Sequence, residues 1–420
     1  MPAQPSGRGA AGLPAPPVAS GNLYYGWVVV WLSFAVVMAS YGLLFSYAVF
    51  APAFAGALGL DAAAVSAPFS VCVATYAILG LVTGRMTDRW GPRPVILAGA
   101  VLLAAGYLVL SQATALWHLF LGMSVLVGLG MSTPYIPTTA TVVRWFVEKR
   151  GKALAIVSMG SGLSIVFMPP VALELTGWLG WRGALVALGL VCGGVMALCA
   201  IGIRRDPGGA ANVTDAAVLP EPEPSWTLAE ARRTVAFWVM CAIYALSWGV
   251  MFFPYAHLVA IGIDMGFARA DGVGLLSAAG IAGLAGRPAI GLILDKAGAR
   301  AALLAMLSVQ ALAFFVFSQW QSLPMLYAAA ILFGMGASAG VTIYPAVVGG
   351  TFGRAHVGSI AGFAFAFTCS VGSLGVFGAG WLRDATGSYD TAFWCGAAAN
   401  AVAMGLALVL KPPVRPGGTL

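Results

Sequence analysis

Apolar runs long enough to cross a bilayer as a helix, which takes roughly 20 residues, recur twelve times in this 420-residue chain. Their approximate limits are 25 to 52, 63 to 84, 94 to 113, 117 to 142, 151 to 173, 181 to 203, 235 to 262, 272 to 294, 300 to 319, 323 to 349, 357 to 381 and 390 to 411. Lipid offers a backbone no hydrogen-bond partner, so only helices or closed barrels can span it. Continuous runs rather than alternating ten-residue segments exclude the barrel. Composition agrees: 60% of the residues are hydrophobic and 8% charged, against roughly 45–50% and about 25% in a soluble domain. The fold class predicted is an all-α membrane protein of twelve transmembrane helices.

The chain also repeats itself. Gly84-Arg85-Met86-Thr87-Asp88-Arg89-Trp90-Gly91-Pro92-Arg93 returns 207 residues later as Gly291-Leu292-Ile293-Leu294-Asp295-Lys296-Ala297-Gly298-Ala299-Arg300. Both copies read G-x-x-x-D-(R/K)-x-G-x-R between two apolar runs, which indicates a duplicated six-span unit. The long polar stretch in the middle, rich in Pro and Gly, divides six spans from six. The expected organisation is a cytoplasmic tail (1–24), an N-terminal half (25–203), a linker (204–234), a C-terminal half (235–411) and a second tail (412–420). Within the linker, Thr227 and Glu230 have capping-box spacing; a short surface helix and a solvated charged linker both fit.

With the N-terminus in the cytoplasm, 17 Lys and Arg fall on the inner side and 3 on the outer, and Arg287 remains inside a span. That asymmetry places both termini inside. It also accounts for the net charge of +7, so nucleic acid is not an expected partner. The six cysteines lie within apolar spans without C-x-x-C or C-x-x-H spacing, which argues against a disulfide framework or a metal site. There is no P-loop, no H-E-x-x-H and no G-x-S-x-G. Neither an enzyme nor a cofactor is expected; the bilayer is the expected surrounding, and a monomer the expected state.

The paired loop motifs in a six-plus-six chain resemble the major facilitator superfamily, whose halves rock around a site near the bilayer midplane. Two further stretches are similar to the monocarboxylate transporter family. One is the first span, Tyr25-Gly26-Trp27-Val28-Val29-Val30 through Ser40-Tyr41-Gly42 to Val49-Phe50, in which Tyr25 stands where that family often has an acid. The other is Arg144-Trp145-Phe146-Val147-Glu148-Lys149-Arg150-Gly151-Lys152-Ala153-Leu154-Ala155, shared in pattern with the bacterial oxalate:formate exchanger. The resemblance covers about residues 24 to 411.

Arg287 is the residue expected to hold substrate. It stands eight residues before Asp295, so at about 1.5 Å per residue it lies roughly 12 Å inside a core roughly 30 Å thick. A membrane-embedded arginine costs roughly 2.5–3.5 kcal/mol or more, and such residues face cavities and mark substrate pathways. All 14 acids fall in loops or at span ends, leaving no evident internal counterion, and a guanidinium suits a carboxylate. The resemblance implies the same role for this position. It also matches Tyr135 to a tyrosine of the exchanger pattern, which is either a hydrogen-bond donor to substrate or an ordinary core aromatic. Tyr344 is its counterpart in the second half, with the same two readings. The exchanger's lysine in the eleventh helix is missing, since residues 357 to 381 hold no Lys or Arg. One buried positive charge argues for a monoanion, and Leu44 and Phe45, standing where the exchanger pattern has a more polar pair, imply by that resemblance a drier wall suited to lactate or pyruvate.

For coupling, the acid that mammalian members carry one turn before the arginine is replaced by Gly283. His257 and Asp264, seven residues apart on roughly one face of the seventh span, are the nearest titratable pair; they are either the proton carriers or, for His257, an interfacial side chain hydrogen-bonded to solvent. Asp88 with Arg89 and Arg93, and Asp295 with Lys296 and Arg300, are expected gating latches. The resulting expectation is a multi-pass protein of a bacterial inner membrane, moving a small organic monoanion with a proton by alternating access. Carboxylate exchange of the oxalate:formate type is the alternative.

Overall fold

Each apolar run becomes a helix because a helix satisfies its own backbone. The computed structural model describes residues 25–146, 149–204, 225–319, 322–353, 356–411 and 413. The N-terminal tail, linker residues 205–224 and most of the C-terminal tail lie outside the described residues. Ten helical stretches are long and apolar enough to span a membrane. Two of them, Arg150–Gly202 and Arg269–Gln319, break at Gly180 (φ 69°, ψ 167°) and Gly298 (φ 82°, ψ 172°). That backbone region is open essentially to glycine alone, and each of these stretches is two helices joined across its break, an arrangement that accommodates the twelve expected spans.

In chain order the spans are span 1 (Tyr25–Leu58), span 2 (Ala62–Trp90), span 3 (Pro92–Ser111), span 4 (Leu116–Trp145), span 5 (150–179) and span 6 (181–202). After the linker come span 7 (Val235–Asp264), span 8 (269–297), span 9 (299–319), span 10 (Leu323–Phe352), span 11 (357–386) and span 12 (Asp390–Val409). The helices run beyond the apolar runs at several ends, because helical hydrogen bonding continues past the hydrocarbon. The linker's last turn is the helix Leu228–Ala231, closed by the Thr227 and Glu230 capping box.

Spans 4 and 11 are discontinuous. Span 4 has a π-helical stretch at Phe120–Val127 and a turn before Tyr135; span 11 turns at Ser373. A broken helix frees backbone groups that protein must satisfy: Thr83 Oγ1 donates to the Ser132 carbonyl at 2.7 Å, and Thr138 Oγ1 to that of Pro134 at 2.6 Å. Irregular backbone of this kind is tolerated where it is buried or lines a cavity.

The halves meet along three lines of contact: span 1 with span 7, span 2 with span 11, and span 5 with span 8. Small residues allow the close approach. In span 8, a Cβ added to Gly286 would lie 2.5 Å from the Met335 carbonyl oxygen of span 10, so backbone packing fixes the position of the next residue, Arg287. The outer surface is apolar, with Trp178 77% and Leu198 72% exposed, as a lipid-facing surface requires.

Candidate functional site

Arg287 projects from span 8 toward the N-terminal half. Its Nη1 donates to the Ser158 carbonyl of span 5 at 2.8 Å, and its Nη2 lies 3.4 Å from Ser161 Oγ. Nε is buried without a hydrogen-bond partner. No carboxylate pairs with this guanidinium among the described residues. The charge therefore crosses the interface between halves and keeps an open donor edge, Nε with Nη2, which is the side-on fork that fits a carboxylate.

Spans 1, 4, 5 and 7 build the surroundings. The Tyr135 hydroxyl is 3.2 Å from Ser158 Oγ, placed there by the break in span 4. Its ring meets Tyr41 edge-on at 6.4 Å between centroids; Tyr41 lies 6.1 Å from Phe45, and Phe45 lies 5.2 Å from Tyr255 of span 7. Tyr41, Tyr135 and Tyr255 lie near Arg287. The result is one cation ringed by hydroxyls and aromatic faces. The structure thus brings Tyr135 to Arg287 and puts Leu44 and Phe45 in buried positions. Ser158, Ser161 and Tyr255 carried no signal in the sequence, since serine and tyrosine in an apolar run are ordinary.

Tyr344 is placed otherwise. It is 8% exposed and its ring packs at a tilt against Tyr244 at 3.9 Å and Trp248 at 5.8 Å, while the Tyr244 hydroxyl donates to its carbonyl at 3.0 Å. Its ring belongs to an aromatic cluster between spans 7 and 10.

His257 and Asp264 lie toward the face opposite the motif loops, lining one cavity of about 340 Å³ between the halves. His257 is buried, its Nδ1 2.9 Å from the Tyr389 hydroxyl and its Nε2 3.2 Å from the Val376 carbonyl. The second contact requires a proton on Nε2. Nδ1 can accept from Tyr389 when neutral or donate to it when protonated, so this histidine can change charge without losing a partner. Asp264 closes span 7 and receives Arg383 Nε at 2.9 Å and Nη2 at 3.3 Å.

The motif loops hold their charges differently from expectation. Asp88 pairs with Arg144 of span 4 at 2.7 Å, a partner from the second family-like stretch. Arg89 is exposed, and Arg93 Nε donates to the Ile203 carbonyl at 2.8 Å. In the second copy Asp295 and Lys296 are exposed, and Arg300 reaches the Leu408 carbonyl. The physical reason is that consecutive helical residues point to different faces, so an acid and the base beside it in sequence reach for different spans. Tyr25, where the family often has an acid, anchors the same face: its hydroxyl donates to the Gly202 carbonyl at 2.7 Å and its ring carries Arg204 at 4.6 Å.

The family model described as Major Facilitator Superfamily matches residues 30–375 and 273–419. Monocarboxylate transporter 13 of Rattus norvegicus is 32% identical over 380 residues, covering 88% of this chain and 85% of that protein. Monocarboxylate transporter 11 of Homo sapiens is 28% identical over 387 residues, covering 88% and 79%. Among solved structures, a bacterial homolog of the human lysosomal transporter Spinster, inward-facing and occupied, superposes with a TM-score of 0.73 at 15% identity, covering 93% of this chain and 97% of that one. The nucleoside transporter NupG gives 0.73 at 13% identity, covering 91% and 99%; both show the shared fold. The duplicated loops, the two six-span halves and these relatives together establish that the chain is a membrane transporter, not an enzyme, and belongs to the monocarboxylate transporter family of the Major Facilitator Superfamily.

Proposed function

We propose that this transporter moves a small monocarboxylate of the lactate or pyruvate type together with a proton, by alternating access, across the inner membrane of a bacterium, with the termini and motif loops in the cytoplasm. The observation that carries the reading is Arg287: a guanidinium within a span, bonded to the opposite half through a carbonyl, with a buried Nε that nothing occupies. A carboxylate on the Nε and Nη2 edge completes that donor set, with Tyr135 and Ser161 beside it. The relatives named as monocarboxylate transporters support the substrate class. Residues 357 to 381 contain no Lys or Arg, so one positive charge faces the cargo and a monoanion balances it. Tyr41, Phe45 and Tyr255 supply an apolar wall for a short alkyl tail.

His257 is the proton carrier in this reading, because its partner Tyr389 can reverse its hydrogen bond, with Asp264 in the same cavity. On the face opposite the motif loops, polar contacts cross between halves, while Asp88–Arg144, Arg93–Ile203 and Arg300–Leu408 each stay within one half. In this reading the conformation is one with the outer side closed. The test is uptake of labelled lactate and pyruvate by the reconstituted protein under an imposed pH gradient. Accumulation driven by the gradient supports symport; counterflow without proton movement moves the reading to exchange; absence of both removes the cargo.

A further inference from the structure

The halves are joined on the face opposite the motif loops by a cluster that no motif marked. Asp384, near the end of span 11, accepts hydrogen bonds from the backbone N–H groups of Ala62 at 3.1 Å and Ala63 at 2.7 Å, the first two residues of span 2 in the other half. First-turn N–H groups have no partner in their own helix, and the positive end of the helix dipole favours a carboxylate there. Asp61 takes the next one, the Ala64 N–H, at 2.7 Å. One acid from each half thus shares the first turn of span 2.

Arg383 holds the crossing acid in place. Its Nη1 is 3.3 Å from Asp384, while Nε and Nη2 are given to Asp264. The backbones around it are in contact: a Cβ at Gly380, one turn earlier in span 11, would lie 2.6 Å from Ser66 Oγ and 2.8 Å from the Ala62 carbonyl oxygen. The cavity of about 340 Å³ is lined by residues of this cluster, Asp61, Ala62, Asp264 and Arg383, together with Ala51 and His257.

We infer that Asp384, positioned by Arg383, is the bolt of the outer gate, closing that face by capping span 2 across the interface between halves. Tilting span 2 away breaks both hydrogen bonds at once, while Arg383 keeps Asp264 and the C-terminal half stays intact. The inference rests on the alternating-access reading above, and adds to it which residues hold the closed state.

The test uses the full-length protein in liposomes, with its six native cysteines replaced and Ala51→Cys placed in the cavity. Labelling by a membrane-impermeant maleimide is timed in this parent, in Asp384→Ala and in Ala62→Pro. Proline suits the first helical position after an extended N-cap and deletes one of the two donors without breaking the helix, so the question survives a failure of Asp384→Ala to fold. Labelling should accelerate roughly 5- to 30-fold in the folded variants, the population change that a closed state weakened by one such contact produces. Unchanged rates overturn the assignment. Lactate counterflow in the same vesicles separates the two ideas: transport by the parent with unchanged labelling removes the gate alone, and faster labelling without lactate movement by the parent keeps the gate and removes the cargo.

Discussion

Replacing Arg287 by alanine is the perturbation whose outcome the structure determines most closely. Hydrogen bonds to charged groups contribute roughly 1.5–3 kcal/mol each, so a bidentate carboxylate contact is worth about 3–6 kcal/mol. The structure narrows this. Nε has no partner without substrate, so one bond is gained outright, whereas the other displaces the 3.4 Å contact of Nη2 with Ser161. The net loss belongs in the lower half of the range, and at about 1.4 kcal/mol per factor of ten, affinity should fall roughly 100- to 1,000-fold. Folding should survive: the Ser158 carbonyl keeps the Ser161 hydroxyl at 2.9 Å, and no acid among the described residues is left unpaired. Arg287→Lys retains a point charge without the fork, and should lose roughly 10- to 100-fold. The assay is initial uptake of labelled lactate against concentration in proteoliposomes, with melting temperature measured on the same preparations. Uptake by the alanine variant with an unchanged KM would refute the anchor.

Three further outcomes are expected. Tyr135→Phe removes only the hydroxyl that meets Ser158 Oγ at 3.2 Å, so KM should rise roughly threefold to tenfold with little change in melting temperature; a lower melting temperature with the same KM would make it an ordinary core aromatic. Gly286→Ala puts a carbon 2.5 Å from the Met335 carbonyl oxygen, and overpacking of this kind costs about 1–3 kcal/mol; both melting temperature and transport rate should drop, and unaltered values in both would show that span 8 is free to shift. His257→Ala should abolish pH-gradient-driven accumulation while lactate exchange persists, and retained proton dependence would take His257 out of the coupling path.

What could be read along the chain was whatever a membrane makes local. Hydropathy sets where a helix crosses, so the long apolar helices were visible before any contact was known. A charge inside an apolar run is conspicuous for the same reason, and Arg287 stood out. The duplication was equally plain, and it reaches down to the backbone: Gly91 and Gly298, the second glycines of the two motif copies, adopt φ 84°, ψ 171° and φ 82°, ψ 172°.

The partners of those charges were decided only when the helices packed. Arg287 finds a serine carbonyl 129 residues away, and Asp384 caps a helix that begins 322 residues before it. Neither pairing leaves a trace in sequence, because a backbone carbonyl or N–H is present at nearly every position and becomes a site only where a helix breaks, begins or is met by a neighbour. The same holds for Asp88, whose adjacent bases Arg89 and Arg93 suggested a local latch while helical geometry sent it to Arg144. The sequence by itself thus determined that this protein is an all-helical, multi-pass membrane protein and which charge lies inside an apolar run; the docking of one half on the other decided what that charge touches, since such contacts depend on helix faces and distances that no linear pattern encodes.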